Sequence, residues 1–213
     1  MQSLPPVTRA LLIANVIVFL LQQVSGSYLE AHFALWPLEG SRWMRLDNGG
    51  AIRVGFDFWQ LVTYSFLHGS VGHVAFNMFA LWSFGGPVEN ALRAQRYTFY
   101  YFVCVIGAAV AQLAVIHFFK PDDFYPTVGA SGGIFGLLLA FALLFPGARI
   151  ALLFFPVPIP AMIAVVAYLA IEFVLGVTGT QEGVAHFAHI GGALAGFVLL
   201  RAWRAKALRG PDR

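Results

Sequence analysis

Six stretches of this 213-residue chain contain no Asp, Glu, Lys or Arg: residues 10–29, 58–88, 97–119, 124–148, 150–171 and 183–200. Each is near or above the ~18–20 residues that a helix needs to cross about 30 Å of hydrocarbon. Composition points the same way, with 59% hydrophobic and 11% charged residues against roughly 25% charged in soluble domains. The expectation is an all-α membrane protein of one domain over residues 1–213, a bundle of six transmembrane helices at about 8–25, 70–88, 97–117, 131–146, 159–176 and 184–203. An outer loop fills 26–57 and a basic tail 204–213. Residues 10–29 lack the basic front and small-x-small exit of a cleaved signal and are read as the first helix. The single cysteine, Cys104, excludes an intramolecular disulfide.

Charge placement sets the expected orientation. With the N-terminus inside, the inner segments hold Arg9, Arg93, Arg96, Arg149, Arg201, Arg204, Lys206, Arg209 and Arg213, nine of the thirteen basic residues. The outer loops hold Arg42, Arg45, Arg53 and Lys120. The positive-inside rule then places both termini in the cytoplasm, in a multi-pass protein of the cell (inner) membrane. The basic tail reads as a topology anchor against anionic lipid rather than a nucleic-acid site. The 26–57 loop, with Trp36, Trp43, Arg45 and the turn signal Asp47-Asn48-Gly49-Gly50, suits a partly folded element in the outer interface.

Polar groups are few enough to follow one by one. Stretch 58–88 is too long for one crossing, so its first ten or so residues lead in and the second helix starts near Ser70. His73 and Asn77 are four apart and share a helical face, while His68 braces the entering loop. Polar groups inside a membrane are costly and mark functional cavities. The fourth helix opens on Gly129-Ala130-Ser131-Gly132-Gly133 and stops at Pro146-Gly147; it is read as short and partly buried. Pro156, Pro158 and Pro160 at alternate positions exclude regular helix there. The fifth helix therefore starts near Ile159, and its Glu172 is either an interfacial carboxylate or an interhelical hydrogen-bond partner. The sixth carries His186 and His189, three apart, then Gly192 and Gly196 in a G-x-x-x-G that allows close helix approach. The loop 177–183 is short, polar and glycine-rich, a candidate gate.

Depth can be counted at about 1.5 Å per residue. Ser131 lies about 22 Å outward of Pro146, His73 about 20 Å outward of Gly86, and His189 about 9 Å inward of Gly183. All three fall roughly 8–10 Å below the outer boundary of a ~30 Å core. Serine hydrolysis needs a base in hydrogen-bond reach, donors for an oxyanion, and water. His189 can serve as base, with His186 as a rival. The Ser131 backbone N–H is free at a helix start where the dipole favours negative charge, and His73 and Asn77 add side-chain donors. No carboxylate lies on the second, fourth or sixth helix at this level, so the expectation is a Ser-His dyad without an acid partner.

Two other readings of the same residues are weaker. Gly129-x-Ser131-x-Gly133 formally matches the nucleophile elbow of soluble hydrolases, which needs a strand and a large parallel sheet. His186-x-x-His189 with His73 could offer zinc three nitrogens, but His-Glu-x-x-His is missing and no Cys, Asp or Glu joins that set, so no metal is expected.

Taken together, His68-x4-His73-x3-Asn77 followed by Gly85-Gly86-Pro87-Val88-Glu89, then Gly129-Ala130-Ser131-Gly132, then Ala188-His189-Ile190-Gly191-Gly192-x3-Gly196 resemble the rhomboid family of intramembrane serine proteases. The motifs keep that order over roughly residues 68–196. The resemblance implies a six-helix bundle, Ser131 as nucleophile, His189 as base directly before the apolar-Gly-Gly step, and an oxyanion site from His73, Asn77 and the Ser131 N–H. It implies no cofactor, and substrates that are single-span membrane proteins in the lipid bilayer, cut near the outer end of their helix at a small residue. Phe135 stands where some members carry a tyrosine, and the Trp-Arg pair of some bacterial members survives loosely as Trp43-Met44-Arg45. The alternative function is a non-catalytic rhomboid-like protein that binds or escorts membrane-protein clients.

Overall fold

The computed structural model describes residues 4–152, 155–179 and 185–209. The long apolar stretches form α1 (Pro6–Ser25), α4 (Val71–Leu92), α5 (Ala94–Phe119), α6 (Ser131–Leu144), α7 (Ala161–Thr178) and α8 (His186–Arg209). Short helices α2 (Ser27–Phe33) and α3 (Gln60–Thr63) lie between α1 and α4. Among the described residues three helices, α1, α5 and α7, are long and apolar enough throughout to cross a membrane, and α6 is a shorter apolar helix of 14 residues. The protein is an integral membrane protein.

Two antiparallel hairpins interrupt the helices. Strand β1 (Ser41–Arg45) pairs with β2 (Ala51–Gly55), and the turn-forming Asp47-Asn48-Gly49-Gly50 lies between them. Strand β3 (Arg149–Leu152) pairs with β4 (Phe155–Pro160), which carries Pro156, Pro158 and Pro160. Proline supplies no N–H, so this ribbon suits a two-stranded edge pairing. The expected start of the fifth helix near Ile159 moves to Ala161, because Ile159 is held in the ladder opposite Ile150. The expected stop of the last helix near 203 moves to Arg209, so the start of the basic tail is helical. The candidate gate 177–183 lies mostly outside the described residues.

α5 is the central helix. Tyr97, Tyr100, Tyr101, Cys104, Val105, Ala108 and Ala109 are fully buried along it. Around it α5, α6 and α8 touch backbone to backbone. A Cβ added at Gly192 of α8 would lie 2.0 Å from the Gly132 carbonyl oxygen of α6, and one at Gly191 would lie 2.8 Å from the Gly107 carbonyl oxygen of α5. Side chains then fasten what the glycines admit. The Tyr100 hydroxyl donates to the Gly136 carbonyl at 2.7 Å and the Tyr64 hydroxyl to the Val105 carbonyl at 2.8 Å.

α1 is tied to the end of α4 by a buried carboxylate. Glu89 accepts from the Val7 and Thr8 backbone N–H groups at 2.9 and 2.7 Å and from the Thr8 hydroxyl at 2.8 Å. These are the orphan donors of the first turn of α1, and a negative charge there also complements the helix dipole. Gly85 makes room for that join, since a Cβ would come within 2.9 Å of both Thr8 Cγ2 and the Tyr97 hydroxyl.

Candidate active site

Ser131 is the first residue of α6. The segment before it is held by two clasps. Leu35 and Thr127 exchange backbone hydrogen bonds at 3.0 and 2.9 Å, joining the outer loop to this segment, and the Gly129 N–H donates to the Tyr64 carbonyl at 3.0 Å. Gly129 adopts φ +126°, and a Cβ there would lie 2.7 Å from His73 Nε2. Only glycine permits both the backbone conformation and the close approach of that imidazole.

His189 comes from the second turn of the neighbouring α8. Its Nε2 lies 2.7 Å from Ser131 Oγ. Gly192, three residues on, is where α8 meets Gly132 of α6, so the glycine contact and the serine–histidine contact share one helix face. Gly196 serves the approach to α5: its missing Cβ makes room for the Tyr100 hydroxyl and Cys104, at 2.2 and 2.9 Å. The reason is the helical twist, which carries positions four apart about 40° round the axis. Phe135 stacks flat on the imidazole of His189, with ring centroids 4.4 Å apart and planes 10° apart.

His186 does not reach the serine. Its Nδ1 points to Glu172, which accepts on Oε2 from His186 Nδ1 at 2.6 Å and from His189 Nδ1 at 2.8 Å. The expectation of a serine–histidine pair with no carboxylate beside it is therefore corrected. The carboxylate arrives from α7, whereas that expectation considered only the three helices carrying Ser131, His73 and His189. Of the two roles open to Glu172, the interhelical hydrogen bond is the one formed. The Glu172, His186 and His189 donor atoms cluster tightly enough to match a metal site in composition. Ligands about 2.0–2.1 Å from a tetrahedral ion stand about 3.3 Å from each other, however, and the 2.6 and 2.8 Å separations here are those of hydrogen bonds.

His73 and Asn77 lie on the facing wall, on α4. Ser70 caps that helix, its hydroxyl accepting from the His73 N–H at 3.1 Å. The Gly69 N–H donates to His73 Nδ1 at 3.4 Å, which leaves Nε2 to carry the ring proton. The buried Asn77 Nδ2 has no hydrogen-bond partner among the described residues. His68 packs its ring edge on His73 with centroids 5.0 Å apart, and its backbone is held from both sides by Gln22 of α1. His73, Asn77, Ser131 and His189 all border one cavity of about 940 Å³, which Phe76 of α4 and Tyr168 of α7 also line.

Chemically this is a hydroxyl paired to an imidazole, facing two amide or imidazole N–H donors across a cavity large enough for water and a peptide segment. Such an arrangement defines a class: a polytopic helical membrane protein with a serine–histidine pair at an internal cavity. The Rhomboid domain model matches residues 55–205, and the chain belongs to the rhomboid family. It is 33% identical over 144 residues to Rhomboid protein 1, mitochondrial, of Saccharomyces cerevisiae, covering 68% of this chain and 41% of that protein. It is 33% identical over 141 residues to Rhomboid protease GluP of Bacillus subtilis, 66% of this chain and 25% of that one. To Rhomboid protease GlpG of Serratia proteamaculans it is 29% identical over 87 residues, 41% of this chain and 27% of that one. The matches thus span less than half the length of each of these relatives.

Proposed function

We propose that this protein is an intramembrane serine endopeptidase that cleaves single-span membrane proteins near the outer end of their transmembrane helix. The observation that carries the reading is the 2.7 Å contact of His189 Nε2 with Ser131 Oγ at a cavity that Asn77, whose buried Nδ2 has no hydrogen-bond partner among the described residues, also lines. His189 takes the hydroxyl proton as Ser131 attacks the scissile carbonyl carbon. The tetrahedral oxyanion is held by His73 Nε2–H, Asn77 Nδ2–H and the Ser131 backbone N–H, the last reinforced by the α6 dipole. His189 then returns the proton to the leaving amine, and water, activated by the same histidine, hydrolyses the acyl-serine.

In this reading α1, α4, α5, α6, α7 and α8 are the six spans, both termini are cytoplasmic, and the site opens outward in the cell membrane. At 14 residues α6 covers about 21 Å, too little for a ~30 Å core, so its Ser131 end sits below the outer surface in contact with water. A substrate enters between α4 and α7, where Phe76 and Tyr168 border the cavity. It unwinds there to present a peptide bond, so helix-breaking segments with a small residue are favoured. No cofactor takes part in these steps.

The test is purified protein in detergent with a single-span substrate. Cleavage, and labelling by a fluorophosphonate, are expected for the wild type and lost in Ser131→Ala and His189→Ala. Retention of full activity by either variant refutes the assignment. A wild-type chain that binds the substrate but neither cleaves nor labels is instead a client-binding, non-catalytic member.

A further inference from the structure

We infer that Glu172 is the acid partner of His189, making the site a Glu172–His189–Ser131 relay in which His186 holds the acid in place; this rests on the reading of Ser131 and His189 as nucleophile and base. Both nitrogens of His189 are committed. Nε2 faces Ser131 Oγ at 2.7 Å, and Nδ1 faces Glu172 Oε2 at 2.8 Å. An imidazole whose Nδ1–H donates to a carboxylate has its lone pair on Nε2, which is the nitrogen that must accept the serine proton. When that proton arrives the imidazolium forms beside a negative charge rather than in apolar surroundings.

The carboxylate itself is held. Glu172 lies on α7 and is buried, as is His186. A second N–H, from His186 Nδ1 at 2.6 Å, points at the same oxygen, Oε2, that contacts the base. Two imidazole donors on one oxygen compensate an anion where water is scarce, and they fix which oxygen faces His189. Phe135 closes the remaining freedom by stacking on the imidazole face. His189 is thereby constrained at both nitrogens and across its plane. An interhelical tie alone would need neither an oxygen shared with the base nor a second histidine aimed at it. Glu172 and His186 touch no reacting atom in this scheme; they are positioning residues that act through His189.

Steady-state cleavage of a single-span substrate and the rate of fluorophosphonate labelling of Ser131 test this together, with melting temperature in detergent as the fold control. Glu172→Gln keeps the shape and a hydrogen-bonding head but not the charge. The expected result is kcat lowered about 10²- to 10⁴-fold with KM within about threefold, and labelling slowed in parallel. Glu172→Asp restores the charge one methylene short and is expected to recover at least tenfold over Glu172→Gln. His186→Ala is expected to lower kcat by roughly tenfold, again at constant KM. If Glu172→Gln does not yield folded protein, Glu172→Asp and His186→Ala decide by the same kcat and KM readout. Wild-type kcat and labelling in Glu172→Gln, or in both of the other variants, overturn the inference while Ser131 and His189 stand. A wild-type chain that neither cleaves nor labels removes the proposed function and this inference with it.

Discussion

Replacing Gly192 with alanine is the sharpest single test of how the glycine contact sets the geometry of the site. The added Cβ would stand 2.0 Å from the Gly132 carbonyl oxygen and 2.7 Å from its carbonyl carbon. Carbon and carbonyl oxygen come no closer than about 3.3 Å. Both atoms that clash with the new methyl are backbone, in a helix packed on its other sides, so no side chain can rotate away. α8 must retreat from α6 by about 1.3 Å, the difference between those two distances. His189 sits one turn from Gly192 on the same face. A rigid retreat therefore stretches its contact with Ser131 from 2.7 Å to about 4 Å, beyond hydrogen-bond reach. Overpacking of this kind costs about 1–3 kcal/mol of stability. A misplacement of about 1 Å at a reacting pair costs roughly 10²-fold in rate. Thermal melting in detergent and initial rates of substrate cleavage read the two effects separately. Gly147→Ala, where an added Cβ meets nothing within 4 Å, is the neutral control. Should Gly192→Ala cleave within twofold of the wild type, the claim that the glycine contact sets the serine–histidine distance is wrong.

Three further outcomes are expected. Glu89→Ala strips the acceptor from Val7 N–H, Thr8 N–H and the Thr8 hydroxyl; it should lower unfolding free energy by roughly 2–4 kcal/mol, and Glu89→Gln by less, measured by denaturation in mixed micelles. Asn77→Ala removes one proposed oxyanion donor and should lower kcat about 10²- to 10³-fold with little change in KM or melting temperature; an unchanged kcat excludes Asn77 from that role. Phe135→Leu removes the flat stack on His189 while keeping an apolar side chain, so kcat should fall more than stability; equal melting temperature with unaltered kcat shows that the ring contributes packing alone.

The site was legible in part because a membrane turns sequence into depth. A helix rises by a constant amount per residue and must cover a fixed thickness, so counting inward from breaker and loop residues gave Ser131, His73 and His189 a common level. Level carries no information about azimuth. Whether His186 or His189 faces Ser131 depends on how far α8 is rotated about its axis. That rotation is set where Gly191 and Gly192 seat against backbone atoms of α5 and α6. Glu172 was missed as a partner of His189 for the same reason: its place on the fifth helix was legible, but not that α7 turns it toward α8. The signal available was its presence, an acid in the otherwise uncharged helix that precedes the histidine-bearing last one. The hairpins were missed because their strands are short and mixed in polarity; only the Asp47-Asn48-Gly49-Gly50 turn and the alternating prolines marked departures from helix.

By itself, then, the sequence determined that this chain lives in a bilayer, most of the stretches that become helices, and the motifs whose counted depths put a serine and polar histidine and asparagine side chains at a similar level. Each of these follows from hydrophobicity and from the regular rise of a helix, which are properties of local segments. The tertiary structure alone decided that Gly196 seats against Tyr100 and Cys104 of α5, that His189 and not His186 meets Ser131, and that Glu172 of α7 completes the hydrogen-bonded line behind His189. Those outcomes depend on the rotation and lateral order of helices, which are set by close contacts among residues far apart in the chain.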